Sequence, residues 1–319
     1  MGSESPRSLI ESPDRVTSDT QSAIRSVPSF RTLALTAITM IFFAANSLLA
    51  RLALRDGAVD AASFTAIRIA AGAASLALLM SLRQPGIRSA RPPGSSISAF
   101  ALFSYALCFS FAYLSLSAGA GALTLFAAVQ ITMLAFGIAR GERPRLSEWI
   151  GLALALGGLA YLASPGLTAP SPLGLLLMTV SGASWGYYSL AAKGNRSPIA
   201  ETGGNFVRAV PMAAMAVAVT WAIGRPHIGW SGAALAAASG AVTSGLGYAM
   251  WYAALKELRT SLAAIVQLTV PVLASLAGVM LLGEQMTVRL GLASGAILGG
   301  VALAVSGSVS ASGREHPRS

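Results

Sequence analysis

The chain has 319 residues, 54% hydrophobic and 11% charged, with a mean hydropathy of +0.66 and a formal net charge of +10. Soluble domains carry about 25% charged residues, so a soluble globular protein is excluded. The basic residues stand singly between apolar runs, which argues against nucleic acid and for a membrane. With one cysteine, Cys108, and two histidines in a loop and a tail, His227 and His316, a disulfide framework or thiolate metal site is excluded too.

Residues 1–30 hold four acids and few apolar side chains, which reads as a disordered cytoplasmic tail rather than a signal peptide. Ten apolar stretches follow, each of about 18–25 residues and long enough to cross a ~30 Å hydrocarbon core. They span roughly 32–51, 61–82, 95–116, 120–139, 147–164, 172–192, 200–223, 232–255, 261–282 and 289–309. Residues 310–319 form a second tail. The expected fold is therefore an all-α integral membrane protein with ten transmembrane helices.

Orientation follows from the lysines and arginines. With both termini cytoplasmic, sixteen lie inside: Arg7, Arg15, Arg25, Arg31, Arg83, Arg88, Arg91, Arg140, Arg143, Arg145, Lys193, Arg196, Lys256, Arg259, Arg314 and Arg318. Four lie outside (Arg51, Arg55, Arg225 and Arg289), and Arg68 and Arg208 remain within spans. A bacterial inner membrane suits this pattern.

The two halves repeat. GERPRLSEWIGLALALGGLAYLAS (141–164) aligns without gaps to GEQMTVRLGLASGAILGGVALAVS (283–306) at a shift of 142. At the same shift FFAANSLLAR (42–51) meets SWGYYSLAAK (184–193), and at 140 Arg68 meets Arg208. The chain divides into five-helix repeats, 31–165 and 166–309. Five is odd, so the second enters the membrane inverted, an architecture of transporters that bind substrate near the midplane between repeats.

The pattern in each half resembles the EamA-type transporters of the drug/metabolite transporter superfamily. Its marks are an aromatic-small start to the first helix, an arginine early in the second, and a proline thirteen residues before a glutamate. They stand as SWGYYSLAAK, FVR and PVLASLAGVMLLGE in the second half. In the first they stand as FFAANSLLAR, AIR and VQITMLAFGIARGE, where Val129 replaces the proline. The resemblance covers roughly residues 32–309 and implies a ten-helix exporter of metabolites, with amino acids, nucleobases and drugs among the family's substrates.

Arg68 lies about 10 Å into its helix and Arg208 about 13 Å, at 1.5 Å per residue. A charge at that depth costs at least ~2.5 kcal/mol and marks a pairing or a pathway. Either each arginine binds helix-end carbonyls or snorkels, fastening its neighbours, or it meets a substrate carboxylate and sets the field of a cavity. The fastening role is preferred for both. Asn205 and Glu201 share the face of Arg208, whereas Arg68 has no such acid.

All twelve acids lie in tails, loops or helix ends. That disfavours proton-for-cation exchange by an intramembrane carboxylate, and no H-E-x-x-H or paired aspartate points to proteolysis. No enzyme, cofactor or metal is expected. The remaining polar set is Asn46, Tyr105, Gln130, Trp185, Tyr188, Tyr248, Trp251 and Gln267, the expected substrate-binding residues. An indole N–H or a phenol in hydrocarbon needs a partner, and a watered cavity supplies one. Trp185 is expected to face that cavity with little packing. Pro211 and Pro271 free the carbonyls of Val207 and Gln267, so the second reads as a kink in the ninth helix that serves as substrate contact and hinge. Gly291, Gly295 and Gly299 form a small-residue face, read as packing within a monomer in preference to a dimer seam. The expected function is export of small metabolites across the bilayer, most of all amino acids with apolar or aromatic side chains. Multidrug or nucleobase transport is the alternative.

Overall fold

The computed structural model describes residues 30–83, 93–139, 146–164, 169–192, 197–224, 226–255, 258 and 266–312. Residues 1–29 and 313–319 of the expected tails, and all of the sixteen inner basic residues except Arg31 and Arg83, lie outside the described residues, while 310–312 continue the last helix.

The described chain is all-helical apart from one isolated bridge, Val59 to Ile228. In order the helices are α1 (Phe30–Arg55), α2 (Ala61–Arg83), α3 (Ser96–Ala112), α4 (Ala118–Ala139) and α5 (Leu146–Ala163). Then come α6 (Pro172–Ala192) and α7 (Pro198–Ile223). The rod α8 is made of Trp230–Ala238, a π-helical stretch Ser239–Leu246 and Gly247–Leu255. Last are α9 (Thr269–Leu282) and α10 (Val288–Ser312). Helices dominate because lipid offers no partner to a backbone N–H or C=O, so each segment must satisfy its own. Their starts carry local signals. Ser95 caps α3 by accepting from the N–H groups of Ile97 (3.2 Å) and Ser98 (3.5 Å). Pro172 and Pro198 open α6 and α7, where a missing N–H costs nothing.

The outside of the bundle is apolar. Leu78, Leu176, Met215, Leu281 and Leu292 are exposed, the reverse of a soluble surface. Trp149, Trp221 and Trp230 are exposed near helix ends, as interfacial anchors are, whereas Trp185 and Trp251 are buried. Four described stretches are long and apolar enough to cross a membrane by length and composition: Phe30–Arg55, Ala61–Leu82, Ala118–Phe136 and Ile199–Ile223.

Packing joins the two halves rather than separating them. α2 lies on α7 and α8, α3 on α6 and α7, α1 on α8 and α9, α4 on α6 and α9, and α5 on α10. Exchanging α1–α5 for α6–α10 maps this set of pairs onto itself. Close approach relies on missing side chains. A Cβ on Gly182 would run into the Leu125 carbonyl, and one on Gly240 into the Arg68 carbonyl.

Two expectations need correction. Gly291, Gly295 and Gly299 do not form a seam within the monomer, because a Cβ at any of them would meet nothing within 4 Å. α10 is turned the other way, with Leu290, Ala293, Ile297 and Gly300 buried against α5. The ninth segment is not a continuous helix. Val266 and Gln267 are helical, Leu268 turns, and α9 starts afresh at Thr269. Pro271 thus sits in a first turn, where the N–H it lacks would have had no partner within α9. Pro211 lies inside α7 as expected.

Contacts between connections gather at two ends. At one, Gly229 N–H donates to the Ala58 carbonyl (2.8 Å) and Asp60 N–H to the His227 carbonyl (2.8 Å). Arg51 Nε meets Glu284 Oε1 at 3.1 Å, and its Nη1 donates to the Tyr113 carbonyl at 3.0 Å. Glu284 also accepts from Ala118 N–H (2.9 Å), which ties the start of α4 to the end of α9. Arg55 donates to the Leu282 carbonyl (2.7 Å), and Arg289 to that of Ser164. At the other end Arg208 Nη1 donates to the Pro93 carbonyl (2.9 Å) and Asn205 Oδ1 accepts from Ser95 N–H (2.9 Å).

Candidate functional site: an aromatic cavity between the halves

Five helices from both halves meet at one cavity. α1 contributes Phe43, Asn46 and Ser47, α3 Tyr105 and Phe109, and α4 Leu125 and Phe126. Trp185 comes from α6, with Thr243 and Tyr248 from α8. The free space they leave is about 20 Å³, enough for a single water. The rings occupy the rest. Trp185 lies 5.0 Å from Tyr105, 5.6 Å from Tyr188, 4.8 Å from Tyr248 and 6.4 Å from Phe43, centroid to centroid. It is therefore a packing centre as well as a wall, against the expectation of a loosely held side chain. In this conformation the cavity admits a water-sized group and not a whole metabolite.

The polar groups are arranged by the π-helical stretch of α8, SGAVTSGL. Its wide turns point Ser239 and Thr243 at α1 and Ser244 at α2. Ser239 Oγ donates to Asn46 Oδ1 (2.7 Å), and the Thr243 hydroxyl lies between Asn46 Oδ1 (3.0 Å) and the Ser239 carbonyl (2.7 Å). The Asn46 amide in turn points at the Tyr105 hydroxyl, 3.4 Å away. Ser244 Oγ accepts from Arg68 Nε at 3.2 Å, and Tyr105 Oη accepts from Arg68 Nη2 at 2.7 Å. Arg68 is 2% exposed and sits just behind the wall. Its guanidinium is 5.0 Å from the Tyr105 ring centre and 4.8 Å from that of Phe109, a cation lying against two neighbouring rings of α3.

Of the residues singled out in the sequence, Asn46, Tyr105, Trp185 and Tyr248 come together on the cavity wall. Tyr188 packs on Trp185 from behind and accepts from Asn205 Nδ2 at 3.5 Å. Trp251 is buried beside Phe43, 6.0 Å between ring centres, off the lining. Gln130 on α4 and Gln267 are half-buried and also off the lining, and Gln130 Nε2 is buried without a hydrogen-bond partner. Phe43 and Phe109 were missed, although a signal existed: Phe43 aligns with Trp185 at the shift of 142, and Phe109 with Tyr248 at 139. Ser239, Thr243 and Ser244 had none, since small hydroxyl residues in a glycine-rich run look like packing. Among the described residues no group of three or more His, Cys, Asp or Glu could hold a metal ion.

Comparison with known proteins agrees with this architecture. Residues 172–306 match the model of the EamA-like transporter family. The chain is 48% identical over 289 residues to "Uncharacterized protein PA1977" of Pseudomonas aeruginosa, a match covering 91% of this chain and 99% of the other. A solved structure described only as "Crystal structure of protein" superposes with a TM-score of 0.62 at 21% identity. That superposition covers 87% of this chain and 98% of the other, and it speaks to the fold alone.

Proposed function

Since this chain belongs to the EamA-like transporter family and is a multi-pass membrane protein, we propose that it exports small amphipathic metabolites by alternating access. The observation that carries this reading is the cavity itself, walled by α1, α3, α4, α6 and α8 from both halves and lined by rings with a few polar edges. Such a lining suits an apolar or aromatic side chain next to a small polar head, as in the apolar amino acids. An inverted pair of five-helix repeats, 31–165 and 166–309, is supported by the packing pairs that exchange onto themselves. The ten-span topology in an inner membrane, with cytoplasmic termini, is supported by the sorting of connections. Residues in or next to the expected outer loops, such as Arg51, Ala58, Tyr113, Ser164, His227 and Glu284, take part in contacts among those connections, and Pro93 joins Arg208.

The transport cycle follows from these parts. Glu284 with Arg51 closes the outer ends of α1, α4 and α9 over the cavity. Release outward requires that latch to open and the ring cluster around Trp185 to turn aside. The test is counterflow of labelled phenylalanine, leucine and alanine in proteoliposomes of the purified chain. Trp185→Ala should lower transport of phenylalanine more than of alanine, because it removes stacking area and not charge. It should also destabilise the fold by about 3 kcal/mol, as large-to-small changes at packed aromatic sites do. Equal loss for every substrate would reduce Trp185 to a packing residue and move the substrate path elsewhere.

A further inference from the structure

Hydrogen-bond accounting around Arg68 leaves a surplus of donors and of positive charge. Its Nε and Nη2 are bound by Ser244 and Tyr105, both neutral, while Nη1 is buried without a partner. Among the described residues the ion pairs are Arg51 with Glu284 and Arg55 with Asp56, and neither reaches Arg68. Tyr105 Oη already accepts from Arg68 and keeps its own proton to donate. Tyr248 Oη stands close to the guanidinium and to Tyr105 but makes no well-formed hydrogen bond. Asn46 turns its amide N–H towards Tyr105, and its Oδ1 accepts from Ser239 Oγ on the other side. A water would satisfy the orphaned donors but not the charge, and a desolvated cation without a counter-ion is among the costliest arrangements in a protein.

We propose that Arg68, with the hydroxyls of Tyr105 and Tyr248, is a recognition site for a carboxylate, reached through the cavity those tyrosines line. This deepens the transport reading and rests on it for the direction of travel: the substrates are apolar carboxylates, not cations or neutral heterocycles. The geometry fits the parts. The free space of about 20 Å³ has room for a single water, so a carboxylate enters in its place as the ring cluster turns outward. The Phe43, Phe126 and Trp185 side chains on the far wall then cover the apolar remainder. The planar guanidinium lies against the Tyr105 and Phe109 rings, and its unpartnered Nη1 supplies N–H donors for a charge-assisted hydrogen bond to a carboxylate oxygen, which the Tyr105 and Tyr248 hydroxyls can join.

The experiment compares ligands that differ only in the head group, using the purified full-length chain and reading thermal midpoint and tryptophan fluorescence. The probes are 3-phenylpropanoate, L-phenylalanine, L-phenylalaninamide, phenethylamine and acetate. The first two should bind about tenfold or more tightly than the amide and the amine, the size of one charge-assisted hydrogen bond. Tyr248→Phe keeps the ring and the packing and should remove most of that preference; Arg68→Gln, where it folds, should abolish it. Stabilisation by acetate at the same concentrations would support the site with a free small carboxylate as occupant. Stabilisation by the aromatic acids alone would support a substrate-borne head. Amide and amine binding as tightly as the acids, no binding of either acid, or an acid preference unmoved by Tyr248→Phe overturns the proposal. The transport reading fails separately: acid binding without counterflow removes it and leaves the carboxylate site standing, while counterflow of the amide does the opposite.

Discussion

Arg68 and Arg208 occupy the same place in the two aligned halves, yet their surroundings share almost nothing. Arg208 is half-buried and its Nη1 reaches two backbone carbonyls, Pro93 at 2.9 Å and Gly204 at 3.2 Å. With Asn205 on Ser95 N–H, it clamps the start of α3 to α7. Arg68 is fully buried and reaches two side-chain hydroxyls and two aromatic faces. Backbone carbonyls are strong acceptors, and a half-buried guanidinium can complete its shell with water, so a cation there is cheaply satisfied. Neutral hydroxyls in a closed cavity do much less. A duplicated motif therefore preserves a residue type and a depth while the chemistry diverges, one copy remaining a fastener and the other gaining a free edge.

Lysine substitution tests this contrast most strongly. Arg68→Lys should destabilise by about 3 kcal/mol, since one ammonium cannot bridge Ser244 and Tyr105 or lay a planar face against two rings. Arg208→Lys should cost about 1 kcal/mol, because an ammonium still reaches one carbonyl near the interface. Denaturation of both variants in the same detergent reads the difference, and equal losses would break the comparison. Ser244→Ala comes next at about 1–2 kcal/mol, the cost of leaving Arg68 Nε buried and unbound. It should also leave the acid preference intact, since the free edge is untouched. The smallest effect is expected at Ser95→Ala, about 0.5–1 kcal/mol for a lost cap. A loss there as large as at Arg68 would mean that the α3 start, not the cavity, is the energetic centre of the bundle.

Much of this was legible in advance, for identifiable reasons. Apolar runs bounded by charge located the helices to within a few residues, because a membrane punishes exceptions. Asn46, Tyr105, Trp185 and Tyr248 announced themselves as polar edges far from helix ends. Phe43 and Phe109 did not, since a phenylalanine in an apolar run carries no polar signal. The break at Leu268 was hidden because the run around it is continuously apolar, and a proline suits a kink and a first turn equally well. The face bearing Gly291, Gly295 and Gly299 was visible as a stripe, but spacing says nothing about what the stripe faces. The partners of Arg68 were beyond reach, as Ser244 is 176 residues away along the chain.

The small bridge between Val59 and Ile228, with its flanking backbone bonds from Gly229 and Asp60, has a mechanical consequence. It rivets the α1–α2 connection to the α7–α8 connection, one from each half, by main-chain bonds that side-chain motion cannot loosen. A rigid body pinned at one edge can only swing about that edge. In the proposed transport cycle the bridge would serve as the fulcrum, and Glu284, holding Arg51 and the start of α4, as the catch that opening must release.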